Sequence, residues 1–238
     1  MNIKTPLNKL KFIGNILPKM DNRGALLIPL SLKVKDLEFA HYRHIPINWN
    51  IEAVMPKCLP KDFSKNAVKI VDMFRRKTID LDYEIMLIFY YKTAELLYCF
   101  VNEESGGDEV SGQVDEEIFA GHDIAVIHNH PKNYGSSPSN ENFQILDLTF
   151  QDYEILSSWD GIWIIESREL IPIGEIRKIK YKIQQFYEYS WEIVGNMDGG
   201  KMEMIKQFDI LYGNLLLTYI NNYPLNIKLT KKVFKHED

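Results

Sequence analysis

The sequence predicts an α+β protein: a mixed central sheet flanked by helices, followed by a C-terminal helical hairpin. Three observations predict it. Short β-rich runs recur between residues 83 and 165, separated by turn-forming residues. An amphipathic helix with a good N-cap precedes the first two of these runs. From Ile176 onward the apolar residues change to a spacing of three and four, the period of a helix.

In order along the chain, residues 1–62 read as a β-rich or irregular cap. Ala25 to Leu32 suggests one or two short strands, and prolines 18, 29, 46, 56 and 60 forbid a long helix. His41 and His44 in this part read as surface or hydrogen-bonded histidines, because no helix places them on one face. Ser64 caps a helix whose Ala67, Ile70, Val71 and Phe74 make one apolar face, and Arg75, Arg76 and Lys77 near its end read as solvated charge. Tyr83 to Tyr91 and Leu96 to Val101 form a hairpin through Lys92-Thr93-Ala94.

Glu103 to Glu109 is an acidic turn without the spacing of a calcium loop. Val110 to Val114 reads as a short strand, with the surface run Asp115-Glu-Glu after it. Tyr153 to Leu156 and Gly161 to Ile165 form two more strands around an Asp-Gly turn. Ile176, Ile179, Ile183, Phe186 and Ile193 then mark one helix, and Met204, Phe208, Leu211 and Leu215 a second. Gly195 to Gly200 separates the two, Pro224 ends the second, and a basic tail, Lys228 to Lys235, follows. The apolar stripes of this hairpin must be covered, by the core or by a second copy of the chain. The expected division is therefore a cap at 1–62, a core at 63–175, and a helical hairpin with basic tail at 176–238.

Composition limits the function. A chain of 238 residues holds one large domain, or a core of about 110–150 residues with additions. A net charge of −5 argues against general nucleic-acid binding. No apolar run approaches the roughly 20 residues that span a bilayer, and the first twenty residues lack the apolar segment of a secretory signal. Cys58 and Cys99 form no Cys-x-x-Cys pair, so neither a thiolate metal site nor a disulfide scaffold is expected, and a cytoplasmic location fits.

The chemistry concentrates in Asp123-Ile-Ala-Val-Ile-His128-Asn-His130-Pro131. Ile124 to Ile127 reads as a buried strand that Pro131 stops. Residues two apart on a strand share a side, so His128 and His130 aim two imidazoles at one point. Lys132 to Pro138 is a polar loop, and Ser139 reads as the N-cap of a helix running through Phe143, Ile145, Leu146 and Phe150. A third group from that helix's first turn would complete three protein ligands, leaving one position open, as hydrolytic zinc requires.

His-x-His-Pro, a polar loop and then Ser-x-x-Asp is the signature of the JAMM (JAB, or MPN-plus) zinc metalloproteases, and this chain resembles that family over roughly residues 64–175. The resemblance implies an α/β/α sandwich of the cytidine-deaminase-like JAB type, Zn²⁺ as cofactor, and hydrolysis of an amide or isopeptide bond. It implies a protein or peptide substrate, with cleavage beside a ubiquitin-like C-terminus as one form. Its glutamate corresponds to Glu95, as general base, with Glu84 the competing acid; Ser139 would donate to the oxyanion.

This chain departs from the family at the third ligand, where an aspartate is usual. A spacer of ten residues after His130 leads to Glu141, whereas the serine rhythm from Ser139 reaches Asn142. The metal set is thus His128, His130 and Asn142, with Glu141 as the alternative. The departure leaves a second reading, a degenerate JAB-fold scaffold or binding module without bound zinc. A DNA-repair-linked bacterial branch carries the same His-Asn-His-Pro run, but the acidic balance argues against that use. The C-terminal helices offer a face for a homodimer. Cupin spacing fails, because Tyr134 and Gly135 stand where a glutamate is needed, and zinc deaminases need the absent Cys-x-x-Cys.

Overall fold

A computed structural model describes residues 10–12, 19–20, 26–27, 37–39, 59–79, 81, 83–101, 123–131, 135–148, 150–197 and 199–233. His41, His44, the acidic turn at 103–109, the strand expected at 110–114 and most of the expected cap lie outside them.

Ser64 starts helix α1, Lys65–Thr78, by accepting the Ala67 N–H on its hydroxyl at 3.1 Å. Ala67, Ile70, Val71 and Phe74 are fully buried and form the face that meets the sheet. The sheet strands are β5 (Ile85–Tyr90), β6 (Leu96–Val101), β7 (Ile124–Asn129), β8 (Gln151–Ser158), β9 (Gly161–Ser167) and β10 (Ile227–Val233). Two short N-terminal strands, β2 (Lys19–Met20) and β3 (Leu26–Leu27), extend it beyond β6. The spatial order is β10-β9-β8-β7-β5-β6-β3-β2, while β1 (Leu10–Phe12) and β4 (Leu37–Phe39) pair separately.

The sheet is mixed. β7 and β8 run parallel and the other pairs are antiparallel. A parallel pair needs a long crossover. Here it contains a 3₁₀ helix, Glu141–Asp147, which buries Phe143, Ile145 and Leu146. The expected α-helix through Phe150 is thus a shorter and tighter element. Helices α2 (Ile173–Gly195) and α3 (Lys201–Asn221) follow β9.

Side chains alternate across the sheet and separate its two faces. Ala125, Ile127, Tyr153, Ile155, Ile162 and Ile164 pack with α1. On the opposite face Leu156, Trp163 and Ile165 pack with the 3₁₀ helix, α2 and α3.

The C-terminal part is not a separate hairpin with a free tail. Lys228, Lys231 and Lys232 belong to β10, which pairs with β9 from Ile227↔Ser167 to Val233↔Gly161. Alternating Ile227 and Leu229 face the core, and the lysines mark an edge strand, where charge discourages further pairing. A boundary at 175 therefore cuts through one hydrophobic core. The helix stripes keep Ile176, Ile179, Ile183 and Phe208 buried, as expected, and depart from expectation elsewhere. Val194 is buried where Ile193 is 44% exposed, and Phe208, Tyr212, Leu216 and Ile220 form the inner face of α3. That face is covered within the chain, by Trp163 and its neighbours.

Candidate metal centre

β7 positions the two histidines. Ile124, Val126 and His128 share the face opposite α1, and His128 is only 6% exposed. His130 stands one residue beyond the strand and stays tied to it, its N–H donating to Ser157 O at 2.9 Å. Both rings lie where the parallel pair ends and the crossover leaves the sheet. In open α/β sheets this end of the strands is where ligands bind.

Each ring has its Nδ1 occupied by an acceptor. His128 Nδ1 lies 2.7 Å from Glu154 Oε1, on the neighbouring strand β8. The other oxygen of Glu154 accepts from Gln151 Nε2 at 2.5 Å. His130 Nδ1 lies 3.1 Å from the Gly135 carbonyl. A carbonyl oxygen only accepts, as does an ionised carboxylate, so both imidazoles carry a proton on Nδ1, and each offers a lone pair on Nε2 when its ring is neutral. This is how metal-binding histidines are held and oriented.

Burial lowers the pKa of His128, but the hydrogen bond and charge of Glu154 and the charge of Glu84 outweigh it, and the net shift is upward. Among the described residues His130 has no such partner. Burial and the neighbouring His128 push it down, to about 3, against a weak opposing pull from the Gly135 hydrogen bond. His130 therefore stays neutral at physiological pH.

Asn142 is the group that the 3₁₀ helix brings to the pair. Its Nδ2 is 3.1 Å from His128 Nε2, and its Oδ1 accepts the Ser139 N–H at 2.5 Å. The serine-based register thus delivers a side chain to the imidazole. Glu141, at the start of the same helix, is exposed. Ser139 does not cap through its hydroxyl. Asn140 precedes the helix without a side-chain cap bond, and Asn142 instead reaches back to the Ser139 N–H, the return half of a capping box.

Glu95 does not join this group. Met86 pairs with His128 while Tyr90 pairs with Ile124, and the Tyr90 N–H donates to Glu95 O across the hairpin at 2.9 Å. Four residues at about 3.3 Å each put Glu95 roughly 13 Å further along the sheet. Glu95 is half-buried at the hairpin turn, near Thr93 Oγ1. Glu84 is the acid at the histidine end. It precedes β5, is 6% exposed, and lies on the same face as Met86, close enough for its charge to act on His128. Asn129, between the two histidines, fixes that segment from the other face. Its Oδ1 accepts the Ile85 N–H at 2.8 Å and its Nδ2 donates to Tyr83 O at 2.9 Å.

The donor set suits a divalent cation in part. Two imidazoles sharing a tetrahedral zinc at about 2.0–2.1 Å from each nitrogen would have ring centres about 5 Å apart. The His128 and His130 rings are 5.3 Å apart, inclined at 43°. The third group is an amide, and among the described residues no cluster of three or more His, Cys, Asp or Glu side chains gathers at metal-holding distances.

Sequence reasoning missed Glu154, Gln151 and the structural task of Asn129. Glu154 stands between Tyr153 and Ile155 in a strand and looks like an outward polar residue. Nor is Arg75 a solvated charge. It is fully buried and donates to Ser157 Oγ, Ser158 O, Trp159 O and Gly161 O, closing the β8–β9 turn beneath α1.

No protein-family model, curated protein or solved structure matches this chain. No helix among the described residues is long and apolar enough to cross a membrane.

Proposed function

We propose that the protein is a zinc-dependent metallo-(iso)peptidase with a JAB-type α/β/α sandwich, cleaving an amide bond in a protein or peptide substrate. A bond beside a ubiquitin-like C-terminus is the substrate form the resemblance suggests. The observation that carries this reading is the pairing of both Nδ1 atoms with acceptors, which reserves the two Nε2 atoms for a metal at one end of one sheet face. His128, His130 and Asn142 would hold the zinc, with Glu141 a poorer candidate because it is exposed. Zinc would supply a water acidified toward neutral pH.

The chain's own groups have distinct tasks. Glu84 takes the general-base role first expected of Glu95, accepting a proton and passing it to the leaving amine. Asn129 keeps Glu84 in place by bracketing it at Tyr83 and Ile85. Ser139, whose backbone is fixed on Asn142, is the donor to the developing oxyanion. The test is hydrolysis of peptide and ubiquitin-like isopeptide conjugates by the zinc-loaded protein. Glu84→Gln should lower the rate by about 10²–10⁴-fold and Glu95→Gln should not. Equal loss in both variants, or none in either, would refute this assignment.

One observation favours the second reading, a scaffold or binding module without zinc. The amide nitrogen of Asn142, not its oxygen, faces His128 Nε2, and the Ser139 N–H holds it that way. The hydrogen-bond network closes without a cation. This reading predicts no zinc uptake by the natural protein and uptake by Asn142→Asp.

A further inference from the structure

The two histidines are supported unequally at first sight. His128 has a carboxylate on its Nδ1, and His130 has a backbone carbonyl. The peptide group that supplies this carbonyl joins Gly135 to Ser136, and its other end is also held. The Ser136 N–H donates to Asp209 Oδ2 at 2.7 Å. Asp209 lies on α3, more than seventy residues further along the chain. Its Oδ1 accepts the Ser137 N–H at 3.0 Å, and its carbonyl accepts from Ser137 Oγ at 3.3 Å.

We propose that Asp209 is a positioning residue for His130, acting through the Gly135–Ser136 peptide group. A peptide group is planar, so fixing its N–H direction fixes the direction of its carbonyl. An anion accepting from the N–H also polarises the group and makes the carbonyl a stronger acceptor. His130 is thereby backed by a carboxylate through one peptide, as His128 is backed by Glu154 directly. Two close approaches allow it. A Cβ on Gly135 would lie 3.0 Å from Asp209 Oδ1, and one on Gly213 would lie 2.9 Å from the Trp163 ring and 3.2 Å from Ser137 Oγ. Glycine at both positions lets α3 settle against the loop and the sheet. The C-terminal helices are then a working part of the site.

The metal arm of this inference rests on the zinc reading above; the tautomer arm does not. The test measures both in the full chain. Imidazole ¹⁵N shifts of the natural protein should show His130 protonated on Nδ1 and bare on Nε2. Asp209→Asn keeps the shape but removes the charge and puts an amide NH₂ against one of the two N–H donors. It should move the His130 Nδ1–H resonance, leave the His128 resonance in place, and weaken Zn²⁺ affinity about 10- to 100-fold. A His130 protonated on Nε2 in the natural protein would overturn the proposal even if the variant failed to fold. So would an unmoved Nδ1–H resonance in a folded Asp209→Asn. A natural protein that binds no Zn²⁺ yet shows the shifted resonance would sink the zinc reading and leave the relay standing.

Discussion

Glu154 accepts the Nδ1 proton of His128 at 2.7 Å from an adjacent, parallel strand, and both partners are nearly sealed from solvent. Glu154→Ala would leave a buried N–H unpaired, at a cost of about 1–3 kcal/mol. It would also free the ring to turn, weakening Zn²⁺ binding about 10- to 100-fold. Calorimetric Zn²⁺ titration with a urea melt checks both. Unchanged affinity would mean that the carboxylate does not orient the ring.

Asn142→Asp places a carboxylate against His128 Nε2, the oxygen donor that zinc prefers. Zn²⁺ affinity should rise at least about tenfold. Glu141→Gln should leave it unchanged, since Glu141 is exposed. The reverse pattern in a chelator-competition assay would transfer the ligand role to Glu141.

The strands at 85–90, 96–101, 151–158 and 161–167 were legible because β-rich runs and turn residues are local signals. The placement of the acids was not. Glu84 and Glu95 both flank strand starts, and only the register of β5 against β7, a pairing between distant segments, puts one at the histidines and the other at the far end. The serine rhythm pointed to Asn142 because a capping box is a local geometry. Arg75 was hidden in the basic triplet Arg75-Arg76-Lys77, since its acceptors come from a turn more than eighty residues later. For the tail, a usable signal existed: Ile227-Lys-Leu-Thr alternates as an edge strand does.

Arg75→Met should be among the most destabilising substitutions in the core. It keeps the volume but leaves the carbonyls of Ser158, Trp159 and Gly161 without their guanidinium donor. The loss should be about 3 kcal/mol or more, read as a lower urea midpoint at unchanged slope. A shift below about 0.5 kcal/mol would show that solvent replaces the guanidinium.

Asp160 joins the β8–β9 turn to β10 through Lys231 at 3.2 Å. Burial tends to raise its pKa, but Lys231 and the Ser158 hydroxyl outweigh it and the net shift is downward. A carboxyl depressed in the folded state stabilises above its unfolded pKa and loses that stabilisation as pH falls through the folded one. Asp160 is more than a third exposed, so screening limits the contribution to less than about 1 kcal/mol. Asp160→Asn should therefore melt slightly lower than the natural protein at pH 7, and the gap should close as the pH drops below the ordinary carboxylate range. A gap that is constant with pH would mean the pair contributes through shape alone.

The most direct measurement is the zinc content, by elemental analysis, of protein purified without added metal and then dialysed. About one zinc per chain is expected, lost in the His128→Ala, His130→Ala double variant. A natural protein with no zinc, and none acquired when Zn²⁺ is supplied, would contradict it.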